Sequence, residues 1–157
     1  MLHIVLFQPQ IPPNTGNIMR LCANTGAALH LVEPIPFDLS DAAVRRAGLD
    51  YRDQAVLHVH ASLPQLRAAL PGRWFAVDVR GTRSHADVAY RDGDVLLFGR
   101  ERTGLPADVL AQFELDHVLR IPMVPGSRSL NLSNAAAVVL YEAWRHQGFL
   151  GAGPFEG

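Results

Sequence analysis

Six short apolar runs rich in β-branched residues, alternating with helical patterns, constrain the fold of this chain more than any other feature. The runs span residues 3–7, 29–32, 56–59, 74–79, 95–98 and 118–121, each bounded by Gly, Pro or Asp, and read as strands. Between and after them, apolar spacing of the helical kind covers 18–24, 41–47, 64–70, 107–113 and 131–147. Parallel strands need crossover connections, and helices usually supply them. Strand alternating with helix therefore predicts an α/β fold, a mostly parallel sheet with helices on both faces. Ser40 suits the cap of the 41–47 helix, and Pro106 with Asp108 suits the first turn of the 107–113 helix.

A length of 157 residues with 48% hydrophobic content fits one core and hence one domain over 1–157. Residues 148–157, with Gly148, Gly151, Gly153 and Pro154, read as a loose tail. No internal repeat or charged linker suggests a second module. No apolar stretch approaches a membrane span, and the start MLHIVLFQPQ lacks a basic segment followed by a long apolar run. The expected location is the cytoplasm. A single cysteine, Cys22, excludes an internal disulfide and a cysteine-based zinc site, and reads as a small apolar helix residue.

A formal net charge of −1 gives no large basic field of the kind general nucleic-acid binders carry. All 14 basic residues are arginine, whose planar fork pairs two-point with phosphate, so a small local cluster can still grip RNA. The densest group is Arg45, Arg46 and Arg52, which suits a phosphate contact or a solvated helix face equally.

Open parallel sheets bind ligands in loops beyond the carboxyl ends of their strands. Three such loops are unusual: QPQIPPNTGN at 8–17, GRERTGLP at 99–106 and PMVPGSRSL at 122–130. The absence of GxGxxG, GxxxxGK[ST], HExxH and GxSxG disfavours common dinucleotide, P-loop, zinc-protease and serine-hydrolase chemistry. His58 and His60 share one face of a predicted strand, but without a third ligand at a metal spacing a structural role is the expectation. In the second loop, two glycines flank Glu101 and allow backbone to approach a ligand; a tight strand-to-helix turn uses the same residues. In the third, Ser129, Asn131 and Ser133 can cap the final helix, whose N-terminal amides suit a polar or anionic group.

The blocks IPPNTGNIMRLCANTG, LLFGRERTGLP and RIPMVPGSRSLNLSNAAAVVLYEAWR resemble, in order and spacing, the three motifs of the SPOUT superfamily of S-adenosylmethionine-dependent RNA methyltransferases. The match spans nearly the whole chain. The short single-domain format looks most like the TrmL type, which 2′-O-methylates the wobble cytidine or uridine of certain leucine tRNAs. The resemblance implies a deep C-terminal trefoil knot, which is otherwise almost absent from proteins. It also implies a cofactor site at Val77, Asp78, Gly99, Glu101, Ile121, Met123, Ser129 and Leu130, in which Val77, Ile121, Met123 and Leu130 make an apolar slot for adenine.

By the same likeness, Arg20 of the first motif is the catalytic residue. A guanidinium does not give up its proton readily, so the preferred role is to hold a nearby phosphate or stabilise the developing 2′-alkoxide. Asn14, Asn17 and Asn131 suit phosphate or ribose oxygens, and serve equally well as turn and helix-start residues. Tyr141 fits core or subunit packing better than base stacking. The family implies a homodimer acting on tRNA, and the apolar run 135–140 is consistent with either an interface or a buried helix. No metal, membrane or DNA partner is expected. Arg100 departs from the pattern, since proline often follows the second-motif glycine. Two other readings are a 2′-O-methyltransferase of another tRNA or rRNA site and a non-catalytic knotted RNA-binding protein; a start directly on the first strand favours the short tRNA type.

Overall fold

The computed structural model describes residues 1–40 and 56–154. The helix expected over 41–47, with Arg45 and Arg46, and Arg52 beyond it, lie outside the described residues. Seven strands form one sheet: β1 (His3–Phe7), β2 (Ala28–Val32), β3 (Val56–His60), β4 (Trp74–Val77), β5 (Arg83–Ser84), β6 (Val95–Phe98) and β7 (Val118–Arg120). Their order is β3-β2-β1-β6-β4-β7-β5, and every pairing is parallel. The α/β architecture is thus the one the alternation predicts.

Side chains along a strand alternate between faces, and the two cores follow that period. Ile4 and Leu6 of β1, Phe75 and Val77 of β4 and Leu96 and Phe98 of β6 face helices α1 (Pro12–Thr25) and α4 (Leu132–His146). Val5, Phe7, Trp74, Ala76, Val95 and Leu97 face α2 (Leu63–Ala69) and α3 (Ala107–Leu110). Cys22 is fully buried in the first core, and burial pushes its thiol up to about 12.

Several boundaries differ from expectation. The α1 helix starts at Pro12 rather than at residue 18, because prolines are tolerated in a first turn whose N–H groups lack helical partners anyway. It ends at Gly26, whose left-handed φ of 72° closes the cap. The α3 helix stops at Leu110 instead of continuing to 113. The β4 strand ends at Val77, where the chain turns through Asp78. The β5 strand, two polar residues at the sheet edge, carries no apolar run to announce it. Near the C-terminus, Trp144 Nε1 donates to the Leu150 carbonyl at 3.0 Å, and Phe149 packs edge-on against the Trp144 ring.

Candidate functional site

The chain runs outward from β1 through β2 to β3, then returns to β4 on the far side of the gap that β6 later fills. Such a reversal leaves a crevice at the carboxyl ends of the strands. The segments leaving β4, β6 and β7, which are neighbours in the sheet, surround one cleft of about 850 Å³, its open mouth included. Val77, Asp78, Gly99, Glu101, Ile121, Met123, Ser129 and Leu130 all line it.

Two carboxylates organise the loops. Burial pushes the Asp78 carboxyl up, but the Arg80 side chain and the Arg80 and Leu105 amides outweigh it, so the group lies below the usual carboxylate range. Its Oδ1 accepts from Arg80 Nε at 2.7 Å, and its Oδ2 accepts from the Leu105 N–H at 3.1 Å. Arg80 in turn donates to the Leu105 carbonyl at 2.5 Å. Asp78 therefore ties the segment after β4 to the segment after β6, and its carboxylate is already occupied by protein donors.

Glu101 ties a third segment. Its carboxylate accepts from the Gln10 N–H at 2.8 Å and the Ile11 N–H at 2.9 Å, at the start of α1, where no side chain of the helix itself provides a cap. A carboxylate is favourable at a helix N-terminus. Beside it, Arg100 donates from Nε at 3.0 Å and from Nη2 to Gln8 Oε1, and its guanidinium lies over the Phe7 ring at 5.3 Å. The departure at Arg100 thus adds a second tether between the same two loops.

A chain of side-chain amides extends the network to α4. Asn14, buried on α1, donates to Glu101 Oε1 at 3.5 Å and accepts from Asn131 Nδ2 at 3.0 Å. The Oδ1 of Asn131 caps α4 by accepting from the Ser133 and Asn134 N–H groups. Asn14 and Asn131 therefore join the three motifs to one another. Asn17 and Arg20 sit elsewhere, on the exposed stripe of α1, and neither lines the cleft.

The lining also includes Arg80, Arg102 and Arg120, which the motif reading did not single out. Arg102 lies inside the second motif loop and Arg120 opens the third motif block, whereas Arg80, just after β4, carries no motif signal. Leu132 and Ala135 add the apolar edge of α4. The backbone groups of Met123, Ser129 and Leu130 make no hydrogen bond among the described residues, leaving donors and acceptors available to a ligand. No described group of His, Cys, Asp or Glu could hold a metal ion.

Comparison with known proteins agrees with this geometry. The SpoU rRNA Methylase family model matches residues 1–141, and the chain belongs to that family. It is 54% identical over 153 residues to the tRNA (cytidine(34)-2′-O)-methyltransferase of Methylovorus glucosotrophus, covering 97% of this chain and 99% of the relative. Among solved structures, one concerned with the 2-OH methylation of C/U34 on tRNA superposes with a TM-score of 0.89 at 47% identity, over 94% of this chain and 97% of its own. The SpoU methyltransferase AviRb of Streptomyces viridochromogenes in complex with AdoMet has a TM-score of 0.81 at 27% identity, over 92% of this chain and 60% of its own.

Proposed function

We propose that this chain is an S-adenosylmethionine-dependent methyltransferase acting on the ribose 2′-hydroxyl of nucleotide 34, a wobble cytidine or uridine of tRNA, with leucine tRNAs as the favoured substrates. The observation that carries this reading is one cleft lined by the second and third of the family's motif loops and the segment after β4, with the first motif tied to it through Glu101 and Asn14. Val77, Ile121, Met123 and Leu130 offer the apolar slot for adenine, and the unbonded backbone of 123 and 129–130 offers groups to fix its edge. Gly99 keeps the second loop narrow, while Glu101 and Asp78 hold it in place rather than contacting the ligand through free carboxylate oxygens.

The cofactor, when bound, supplies a methyl group already activated on sulfonium. What remains for the protein is to orient the ribose hydroxyl, exclude water and stabilise the charge that develops on oxygen, tasks worth several kcal/mol together. Arg20 serves the last of these, as a donor to the alkoxide or to the adjoining phosphate. Asn17, one turn earlier on the same exposed stripe, holds a ribose or phosphate oxygen.

In this reading the C-terminal segment passes through a deep trefoil knot, and the protein works as a homodimer in the cytoplasm. Support for the dimer comes from α1 and α4, which pack side by side and together expose Asn17, Arg20, Val138 and Tyr141. A partner seated there brings Arg20 to the mouth of a cleft that its own chain leaves it outside. Nucleoside mass spectrometry of tRNA incubated with the protein and labelled cofactor tests the reading. A 2′-O-methylated nucleoside at position 34 is expected; methylation on a base, or none at that position, overturns it.

A further inference from the structure

The arginines are not used evenly. Arg73 is held by Asp94, Arg80 by Asp78, Arg83 by two carbonyls, Arg100 by Gln8 and Arg145 by Glu142. Among the described residues, four arginine side chains make no hydrogen bond, ion pair or ring contact: Arg91, Arg102, Arg120 and Arg128. All four are exposed. Two of them line the cleft, and a third is the chain neighbour of a lining residue. Arg102 lines it from the loop after β6 and Arg120 from the end of β7, and Arg128 precedes the lining residue Ser129 in the chain. The fourth, Arg91, lies in the turn before β6, at the opposite end of the sheet.

Charge in the cleft runs against the charge of the whole chain. Four arginines line it (Arg80, Arg100, Arg102 and Arg120) against two carboxylates, Asp78 and Glu101, in a protein whose formal net charge is −1. Both carboxylates are turned to protein donors. An anion approaching the mouth therefore meets unpaired guanidinium groups on two sides and no free carboxylate among the lining residues. Guanidinium forks pair two-point with phosphate oxygens.

We infer that Arg102, Arg120 and Arg128 form a phosphate-gripping rim that seats the RNA backbone on either side of the nucleotide entering the cleft. The inference rests on the methyltransferase reading above and assigns its substrate contact. A nucleotide whose 2′-hydroxyl reaches into the cleft brings its own phosphates to the mouth, where Arg102 and Arg120 stand and where Arg128 is the chain neighbour of Ser129. The rim accounts for RNA binding by a chain with no overall basic field, because phosphate contacts need only a few local charges.

The test measures tRNA binding against potassium chloride concentration for the wild type and the triple variant R102Q/R120Q/R128Q. It is paired with calorimetric titration of S-adenosylmethionine into each. Each single-strand phosphate contact contributes about 0.7 to the slope of log affinity against log salt, so the triple variant should lose about 2 from that slope and at least about tenfold in affinity. Cofactor affinity stays within about twofold, and R91Q matches the wild type in both measurements. An unchanged salt slope overturns the rim. So does weakened cofactor binding with tRNA binding intact, which assigns the three arginines to the cofactor's carboxylate instead. Wild type that binds tRNA but transfers no methyl group overturns the methyltransferase reading and the rim with it; the rim fails alone if the wild type methylates and the variant keeps its slope.

Discussion

Asn131 Nδ2 donates to Asn14 Oδ1 across 3.0 Å, so the residue that caps the last helix also grips the first. Because Asn14 reaches Glu101 in turn, one continuous set of hydrogen bonds fixes the relative positions of all three motif loops. Polar side chains that look like separate local caps in the sequence thus form a single frame around the cleft.

Replacing Asn131 with alanine removes an N-cap and strands the buried amide of Asn14. The cost should be about 1–2 kcal/mol, seen as a fall of several degrees in thermal unfolding. Asn131→Asp keeps an oxygen for the Ser133 and Asn134 amides but loses the donor to Asn14. If the frame matters beyond the cap, both variants weaken cofactor binding in calorimetry. Retention of full affinity by Asn131→Asp would show that the cap alone counts.

Gly99 faces backbone, not open space. A Cβ there would overlap the Gly104 carbonyl carbon and the Leu105 nitrogen, which are held by the Arg100–Gly104 backbone pair and by Asp78. Neither neighbour is a flexible side chain that could step aside. Gly99→Ala should therefore cost about 1–3 kcal/mol of stability and open the loop. Loss of detectable cofactor binding below the unfolding temperature is the expected readout, whereas Gly153→Ala, with open space around it, should match the wild type.

The strands of the central sheet were legible because both faces are covered by helices, so β4 and β6 had to be apolar at every position and β1 at every position after His3. The β5 strand was not, since two polar edge residues carry no period. The start of α1 was hidden as well: Pro12 and Pro13 read as loop, and the cap that completes the turn comes from Glu101, 90 residues away from Ile11. Eight of the residues that line the cleft could be named from motif likeness, but Arg80, Arg102 and Arg120 could not. The local sequence could not reveal that Asp78 and Glu101 spend their carboxylates on neighbouring loops, nor that the surface of α1 holds Arg20 outside the cleft. Each of those facts depends on which loops the sheet order brings together.

Four histidines share one face of the sheet edge. His30 sits between His3, with Nδ1 to Nε2 at 3.0 Å, and His60, at 3.1 Å, and stacks on His58. Each short contact needs one nitrogen with a proton and one without. Burial, then the neighbouring rings, lower the His30 pKa to about 3, and His3 and His60 are lowered in the same direction, again chiefly by burial. The unfolded chain therefore binds more protons than the folded one between about pH 3 and the ordinary histidine range near 6.5, so stability is full above that range and falls as pH drops through the interval. Denaturant midpoints measured from pH 7.5 to 5.0 should decline for the wild type. In His30→Gln the decline should be shallower; an equal slope would exclude the cluster as its source.

Arg20→Ala separates binding from chemistry. Because Arg20 does not line the cleft, cofactor affinity should stay within about twofold, while methyl transfer falls by roughly 10²–10³, as for loss of a donor to a developing oxyanion. Arg20→Lys keeps the charge without the fork and should recover only part of the rate. The same residue also tests the proposed dimer. Leu130→Asp, at an exposed position of the cleft, should abolish cofactor binding without unfolding the chain. Mixed at equal amounts and allowed to exchange subunits, Arg20→Ala and Leu130→Asp chains pair at random. If each cleft takes its arginine from the partner subunit, one site of every mixed dimer is intact, and about a quarter of wild-type activity returns. If the arginine serves its own chain, neither kind of subunit has both parts, and mixing restores nothing.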